Sequence, residues 1–172
     1  MTGTTRLKAP LSCTEAERGE FARLVRQGFH GSDEGLPDRI RNASCLAFRY
    51  MAEQKLMAIA ALKVPTDLHR EDLFRTAEAD VSSAGYELEL GWVYVLPDYR
   101  GNRTATHLCR LLLGGVSGAG VFATTRSDNT PMRKILQAFD FVEVGKPFPR
   151  RNEELVLFLR SFSTPQAQNP TI

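Results

Sequence analysis

The sequence holds little that would mark a secreted, membrane-bound or metal-dependent protein. Only three cysteines occur in 172 residues, Cys13, Cys45 and Cys109. They are odd in number, far apart and in no ligand spacing, which excludes a disulfide framework and points to reduced thiols in the cytoplasm. Histidine is as scarce: His30, His69 and His107 are isolated and fit neither a metal site nor a catalytic triad, so surface or capping roles are expected. No apolar run approaches the roughly 20 residues that a membrane-crossing helix needs. The opening stretch MTGTTRLKAPLS has no apolar core of the kind a secretory signal carries. A surplus of one charge is also missing. The 22 Lys and Arg nearly balance the 20 Asp and Glu, so bulk electrostatics give no reason to expect nucleic acid or a membrane surface as partner. Internal repeats are absent. The expectation is a soluble cytoplasmic protein without a metal.

What is present fits one globular domain. The chain is long enough to bury a core, and its apolar share of 42% against 24% charged residues is ordinary for a folded protein. The domain is expected over residues 1–161, with a polar tail at 162–172 that should fray. Thr14 and Glu17 have the spacing of a capping box, and Phe21, Leu24, Val25 and Phe29 recur at helical intervals, which predicts a helix over 15–29. A short helix over 37–42 carries a weaker signal. Strands are expected at 44–51 and 56–64, the second almost continuously apolar. A polar stretch at 66–83 reads as an inserted helix over 69–79.

Beyond it, Leu88, Leu90, Trp92 and Tyr94 alternate with their neighbours until Pro97 ends the strand. After the turn DYRGN, Ala105, Leu108, Cys109 and Leu112 give a helix ending near Gly114. Cys109 lies on that apolar stripe and reads as core. A strand at 120–126 follows. Thr130 and Pro131 fit an N-cap and first helical position, with Met132, Ile135, Leu136 and Phe139 as the helix's apolar face. Strands at 141–144 and 154–160 close the domain, and the basic run Pro149-Arg150-Arg151 reads as a solvated loop. Such an order predicts an α+β fold.

The segment 87–113 carries the chemistry. A strand, a tight turn and a helix start follow one another directly. A helix N-terminus offers unpaired amides and partial positive charge, and a turn of small residues lets a phosphate approach them. Arg100 and Arg103 add guanidinium donors. The bland alternative is a surface loop with two solvated arginines.

From about residue 87 to 141 the chain resembles the GNAT superfamily of N-acetyltransferases. Val95-Leu96-Pro97-Asp98-Tyr99-Arg100-Gly101 is similar to the family's V-x-P-x-Y-R-G, and Arg100-Gly101-Asn102-Arg103-Thr104-Ala105 to its Q/R-x-x-G-x-G/A pyrophosphate loop. Asn129 and Phe141 fall where the family's second half has an asparagine and the phenylalanine of a closing G-F. The resemblance implies a central mixed, mostly antiparallel sheet of six or seven strands between helices, and acetyl-CoA as cosubstrate. It implies main-chain contacts to the pantetheine arm from Val93, Tyr94 and Val95. Amides of Arg100, Gly101, Asn102, Arg103, Thr104 and Ala105 would take the pyrophosphate, with Thr104 adding a hydroxyl and Asn129 bonding the arm. The run at Arg150 and Arg151 could instead reach the ribose phosphate.

Two positions depart from the family. Arg103 stands where the loop has its first glycine, which is strained if that position needs positive φ. Leu136 stands where many members carry a proton-donating tyrosine, and leucine cannot donate. Tyr94, Tyr99 or a water could supply the proton, although strict alternation puts Tyr94 on the face opposite Glu89. Glu89 matches a strand position where some members keep a catalytic glutamate, and Glu87 shares its face. Together they would attract a cationic amine, with Glu89 as base; the alternative is a solvated strand edge. The implied reaction is direct transfer of acetyl to a primary amine in a ternary complex. A degenerate acyl-CoA-binding or interaction module is the second reading. The acceptor, a small amine, a protein amine or an aminoacyl-tRNA, stays open, as does a homodimer.

Overall fold

The computed structural model describes residues 3–29, 34–52 and 54–161. His30 and the tail at 162–172 lie outside them. Its strands are β1 (Gly3–Lys8), β2 (Cys45–Met51), β3 (Leu56–Lys63), β4 (Leu88–Val95), β5 (Val121–Arg126), β6 (Val142–Arg150) and β7 (Glu153–Arg160). They form one seven-stranded sheet in the order β1-β2-β3-β4-β5-β7-β6. Every neighbouring pair is antiparallel except β4 and β5, which run parallel. The near-continuous apolar run of β3 makes sense at once: it is a central strand buried on both faces.

Helices α1 (Glu15–Gly28), α2 (Leu36–Arg41), α3 (Asp67–Thr76), α4 (Thr104–Gly114) and α5 (Thr130–Gln137) cover the two faces. On one face, Leu108, Cys109 and Leu112 of α4 and Leu136 of α5 pack on Ala58, Leu90, Ala123 and Phe158. On the other, Phe21, Leu24 and Val25 of α1 cover Phe48, Ile59 and Trp92. There α3 sets Leu73 and Phe74 against Phe122, Leu157 and Leu159. The result is the expected helix–sheet–helix sandwich, with a seam on the second face between the α1–α2 half and the α3 half.

Local signals explain most boundaries. The Thr14–Glu17 capping box is present in both directions, at 3.2 and 2.8 Å. Lys8 also binds Glu17 at 2.6 Å, and that hydrogen bond holds the Glu17 carboxyl below its usual range. Helix α3 starts two residues before the expected position, because the Thr66 side chain caps it by accepting from the His69 amide. Several expectations are corrected. β1 was not foreseen: GTTRLK is a polar edge strand paired on one side only. Asn129, not Thr130, caps α5, accepting from the Met132 amide at 3.2 Å. Pro149 and Arg150 belong to strand β6, and only Arg151 sits in the turn to β7. Two prolines are tolerated because β6 is the sheet's other edge.

Candidate active site

The period of two in β4 breaks at Trp92. Its φ of 50° is left-handed, and the register to β3 slips by one residue there, with Ile59 opposite Tyr94 but Ala61 opposite Gly91. An extra residue of this kind is a β-bulge, and it flips the side-chain alternation beyond it. Leu88 and Leu90 face the α4 side; past the bulge it is Val93 and Val95 that do. Trp92 and Tyr94 face α1. Glu89 pairs with Lys63, whose ammonium lies 5.2 Å over the Trp92 ring, so Glu89 shares that face. Tyr94 therefore lies on the same face as Glu89, contrary to strict alternation.

The bulged strand also parts from its parallel neighbour. β4 pairs with β5 only at Leu88–Val121 and Glu89–Phe122. β5 continues to Arg126 against β7 alone. From Leu90 to Val95, β4 thus has a main-chain edge toward β5 without a strand on it, and Val93, Tyr94 and Val95 lie along that edge. An extended chain carrying amides could pair there as a strand would.

At the open end of this cleft stands the loop before α4. The Arg100 amide is already used, donating to Pro97 O at 3.2 Å, and its Nε donates to Val95 O at 3.0 Å. Arg100 is thus a brace for the strand end. Among the described residues no backbone acceptor takes the amides from Gly101 to Thr106; the first such bond is His107 N to Arg103 O at 2.9 Å. Gly101 (φ 82°) and Arg103 (φ 55°, ψ 18°) are both left-handed, a turn that exposes successive amides on one side. A Cβ built on Gly101 meets nothing within 4 Å, so the space before the loop is open. The donor set, the open space and the free strand edge fit a pyrophosphate with an amide-bearing arm. Asn129 uses its Oδ1 for the α5 cap, which leaves its Nδ2 as the available donor.

At the other end of the free edge is Glu89, only 5% exposed, which excludes the solvated-edge reading for it. Its Oε1 is 2.6 Å from Lys63 Nζ. Glu87 is exposed and precedes the strand, so the two glutamates do not form an equivalent pair. His69, expected at the surface, is half-buried on α3 with Arg150 Nη2 3.5 Å from its Nδ1. Burial pushes its pKa down, partly opposed by the field of Glu89. Lys63 was missed because it meets Glu89 only through the register of β3 against β4, and His69 and Arg150 because α3 and β6, far apart in the chain, bring them together. Leu136 is fully buried core. Cys109 is buried as expected, its thiol pushed up to about 12 by desolvation, and Cys13 and Cys45 are likewise free. No helix among the described residues is long and apolar enough to cross a membrane.

Comparison with known proteins agrees with this geometry. Curated proteins give no match. Among solved structures, an acyl-CoA N-acyltransferase from Pseudomonas aeruginosa is 14% identical with a TM-score of 0.66, covering 93% of this chain and 100% of its own. The ribosomal-protein-S18-alanine N-acetyltransferase from Escherichia coli is 11% identical at a TM-score of 0.67, over 98% and 100% of the two chains. Arabidopsis thaliana NAA60 in complex with acetyl-CoA is 13% identical at 0.64, over 92% and 100%. At these identities the likeness concerns the fold. A family profile described as Acetyltransferase (GNAT) family matches residues 14–141. Since that match spans most of the chain, including the splayed strand and the loop before α4, the chain belongs to the GNAT acetyltransferase family, whose reaction is acyl transfer from acyl-CoA.

Proposed function

We propose that the chain is an acetyl-CoA-dependent N-acetyltransferase that moves an acetyl group directly to a primary amine in a ternary complex. The observation that carries this reading is the unpaired β4 edge leading from free loop amides to a buried glutamate. Acetyl-CoA would supply the activated acyl thioester. The chain's own residues then have distinct tasks. Val93, Tyr94 and Val95 hold the pantetheine arm by main-chain bonds, and the amides from Gly101 to Ala105 hold the pyrophosphate, with Thr104 and Asn129 as further donors.

Glu89 receives the proton of the incoming ammonium. An amine with a pKa near 10 is almost wholly protonated at neutral pH, so a nearby acceptor is useful. Lys63 Nζ lies 2.6 Å from Glu89 Oε1, so the acceptor's ammonium competes with Lys63 for that carboxylate before the proton moves. Glu87, exposed beside the strand, draws a cationic acceptor inward. With Leu136 in the core, Tyr94 on Glu89's face is the proton donor to the departing thiolate.

A second reading, a catalytically degenerate acyl-CoA-binding module of the same fold, is favoured by the buried Leu136 and by the Lys63–Glu89 pair. Calorimetric titration with acetyl-CoA, combined with free-thiol release over a panel of small amines, peptides and aminoacyl-tRNA, separates the two. Binding with thiol release supports transfer, and the productive acceptor names the substrate class. Binding without release on any acceptor leaves the module, and no binding overturns both. Glu89→Gln should lower turnover with cofactor affinity nearly unchanged; unaltered turnover would remove Glu89 from the mechanism.

A further inference from the structure

The Lys63 side chain lies across β4. A Cβ built on Gly91 would meet Lys63 Cε at 2.5 Å and Nζ at 3.1 Å, so the absence of a side chain at position 91 makes room for it. The ammonium ends 2.6 Å from Glu89 Oε1 and 5.2 Å over the Trp92 ring. It stays partly exposed, within reach of a ligand. The free edge of β4 begins at Leu90, next to Gly91. Lys63 therefore stands where that edge ends, on the face that carries Glu89.

A second cation lies on the α3 side of the seam. Phe148 of β6 packs in the α3 cluster, and two residues on, Arg150 Nη2 lies 3.5 Å from His69 Nδ1. His69 links the two groups, since it feels the charges of Glu89, Lys63 and Arg150 together. Burial holds its pKa down, so at neutral pH the ring is uncharged. The acids nearby are engaged elsewhere. Asp67 pairs with Arg70 at 2.9 Å, Asp72 with Arg75, and Glu153, opposite Arg150 on β7, with Arg126 at 3.7 Å. Among the described residues Arg150 has no carboxylate partner. Lys63 and Arg150 thus share one buried carboxylate, that of Glu89.

An acceptor that brought only an ammonium would deepen this imbalance. It competes with Lys63 for Glu89, and a displaced Lys63 would be left half-buried without a counter-charge, which is costly. A carboxylate on the same molecule removes the cost, because Lys63 then exchanges one carboxylate for another. With Glu87 at the start of the strand the charges balance. The forked donors of Arg150 suit a carboxylate as well. We propose that the acceptor is a free amino acid, with its ammonium at Glu89 and its carboxylate between Lys63 and Arg150. The inference rests on the transfer reading above and names its substrate class. It decides among the open acceptors: a peptide N-terminus and an aminoacyl-tRNA have that carboxyl group tied up as an uncharged amide or ester, and a simple amine lacks it. The chemistry is that of the transfer itself: the amine nitrogen bonds the acetyl carbon, the C–S bond breaks, Glu89 holds the proton and CoA leaves as thiolate. Arg150 then serves the acceptor and not the ribose phosphate.

The test is free-thiol release from acetyl-CoA by the full chain. The acceptors are the standard free amino acids, their C-terminal amides, their decarboxylated amines, short peptides and O-phosphoethanolamine. At least one free amino acid should exceed its own amide in kcat/KM by about tenfold or more, mainly through KM, the scale of one hydrogen bond to a charged group. Arg150→Gln should erase that preference by weakening use of the acid alone, and Arg150→Lys should restore part of it. Equal or better use of amides, decarboxylated amines or peptides would overturn the assignment and leave the transfer reading intact. Preferred use of O-phosphoethanolamine would do the same, as would an Arg150→Gln variant that keeps the preference or weakens acid and amide equally. No thiol release from any acceptor would overturn the transfer reading, and this one with it.

Discussion

Replacing Arg103 by glycine should raise the stability of the fold and lower its affinity for CoA at once. The residue sits at φ 55° and ψ 18°, the left-handed region. A non-glycine residue incurs roughly 1–2 kcal/mol there, from the close approach of Cβ and the following carbonyl. Glycine removes that strain but adds backbone freedom to the unfolded chain, which returns about 0.5–1 kcal/mol. The net gain is about 0.5–1 kcal/mol. For a chain of this length that corresponds to a rise in melting temperature of about 1–4 °C. No cap is lost, because the Arg103 side chain makes no capping bond to α4.

The same change removes one of three guanidinium groups from an open groove beside the loop. CoA affinity should then fall by about tenfold, the scale of one hydrogen bond to a charged group. Thermal unfolding of the ligand-free chain and calorimetric titration with CoA read the two effects separately. A lower melting temperature for Arg103→Gly would refute the strain argument. Tighter CoA binding would refute the phosphate contact and show the arginine to be an obstacle in the loop.

Other perturbations test the seam and the insertion. Lys63→Met leaves Glu89 buried without its partner and should destabilise the chain by about 2 kcal/mol, with Glu89→Gln in the same chain recovering most of the loss; urea unfolding of the single and double variants checks this, and additivity would mean that the pair is not coupled. Gly145 has φ 69°, and a Cβ there would lie 2.1 Å from Ala77 O, so Gly145→Ala should lower the melting temperature by about 4–8 °C through strain and loss of the bond from Lys146 N to that carbonyl. His69 is depressed by burial, so the unfolded chain takes up its proton first as pH falls. Stability should thus be full above about pH 6.5 and decline below it, and His69→Gln should flatten that decline in urea midpoints taken across the range. An unchanged slope in the variant would place the acid sensitivity elsewhere.

Periodicity and end signals made most of the fold legible. The capping box at Thr14, the buried run of β3 and the stripe of α4 each state their element in a few residues, because burial on one or both faces dictates the pattern. Where no burial pattern exists, the reading fails. β1 contributes only an edge, so GTTRLK carries polar residues on both faces and resembles a loop. β6 is an edge as well, and its prolines and Gly145 bulge disguise it. The loop before α4 was legible because a tight turn with exposed amides leaves a mark in residue size. Lys63, His69 and Arg150 were not. Lys63 meets Glu89 through the register of β3 on β4, and His69 meets Arg150 because α3 lies over β5–β7; no local pattern expresses either.

The most consequential illegible feature is the bulge at Trp92. Nothing in ELELGWVYV distinguishes a regular strand from one that slips by a residue, since the apolar and polar positions suit either register. Yet the slip has two effects at once. It accompanies the parting of the β4 main chain from β5, which leaves the edge from Leu90 to Val95 without a strand on it. It also reverses the faces, bringing Tyr94 to the side of Glu89 and sending Val93 and Val95 into the core under α4. A strand in strict register would have kept its pairing to β5 and set Tyr94 behind the sheet from Glu89. The open β4 edge and the placing of Tyr94 on the face of Glu89 thus go together with a single left-handed residue. A chain in which Trp92 was forced back to extended geometry should lose both together, not one without the other.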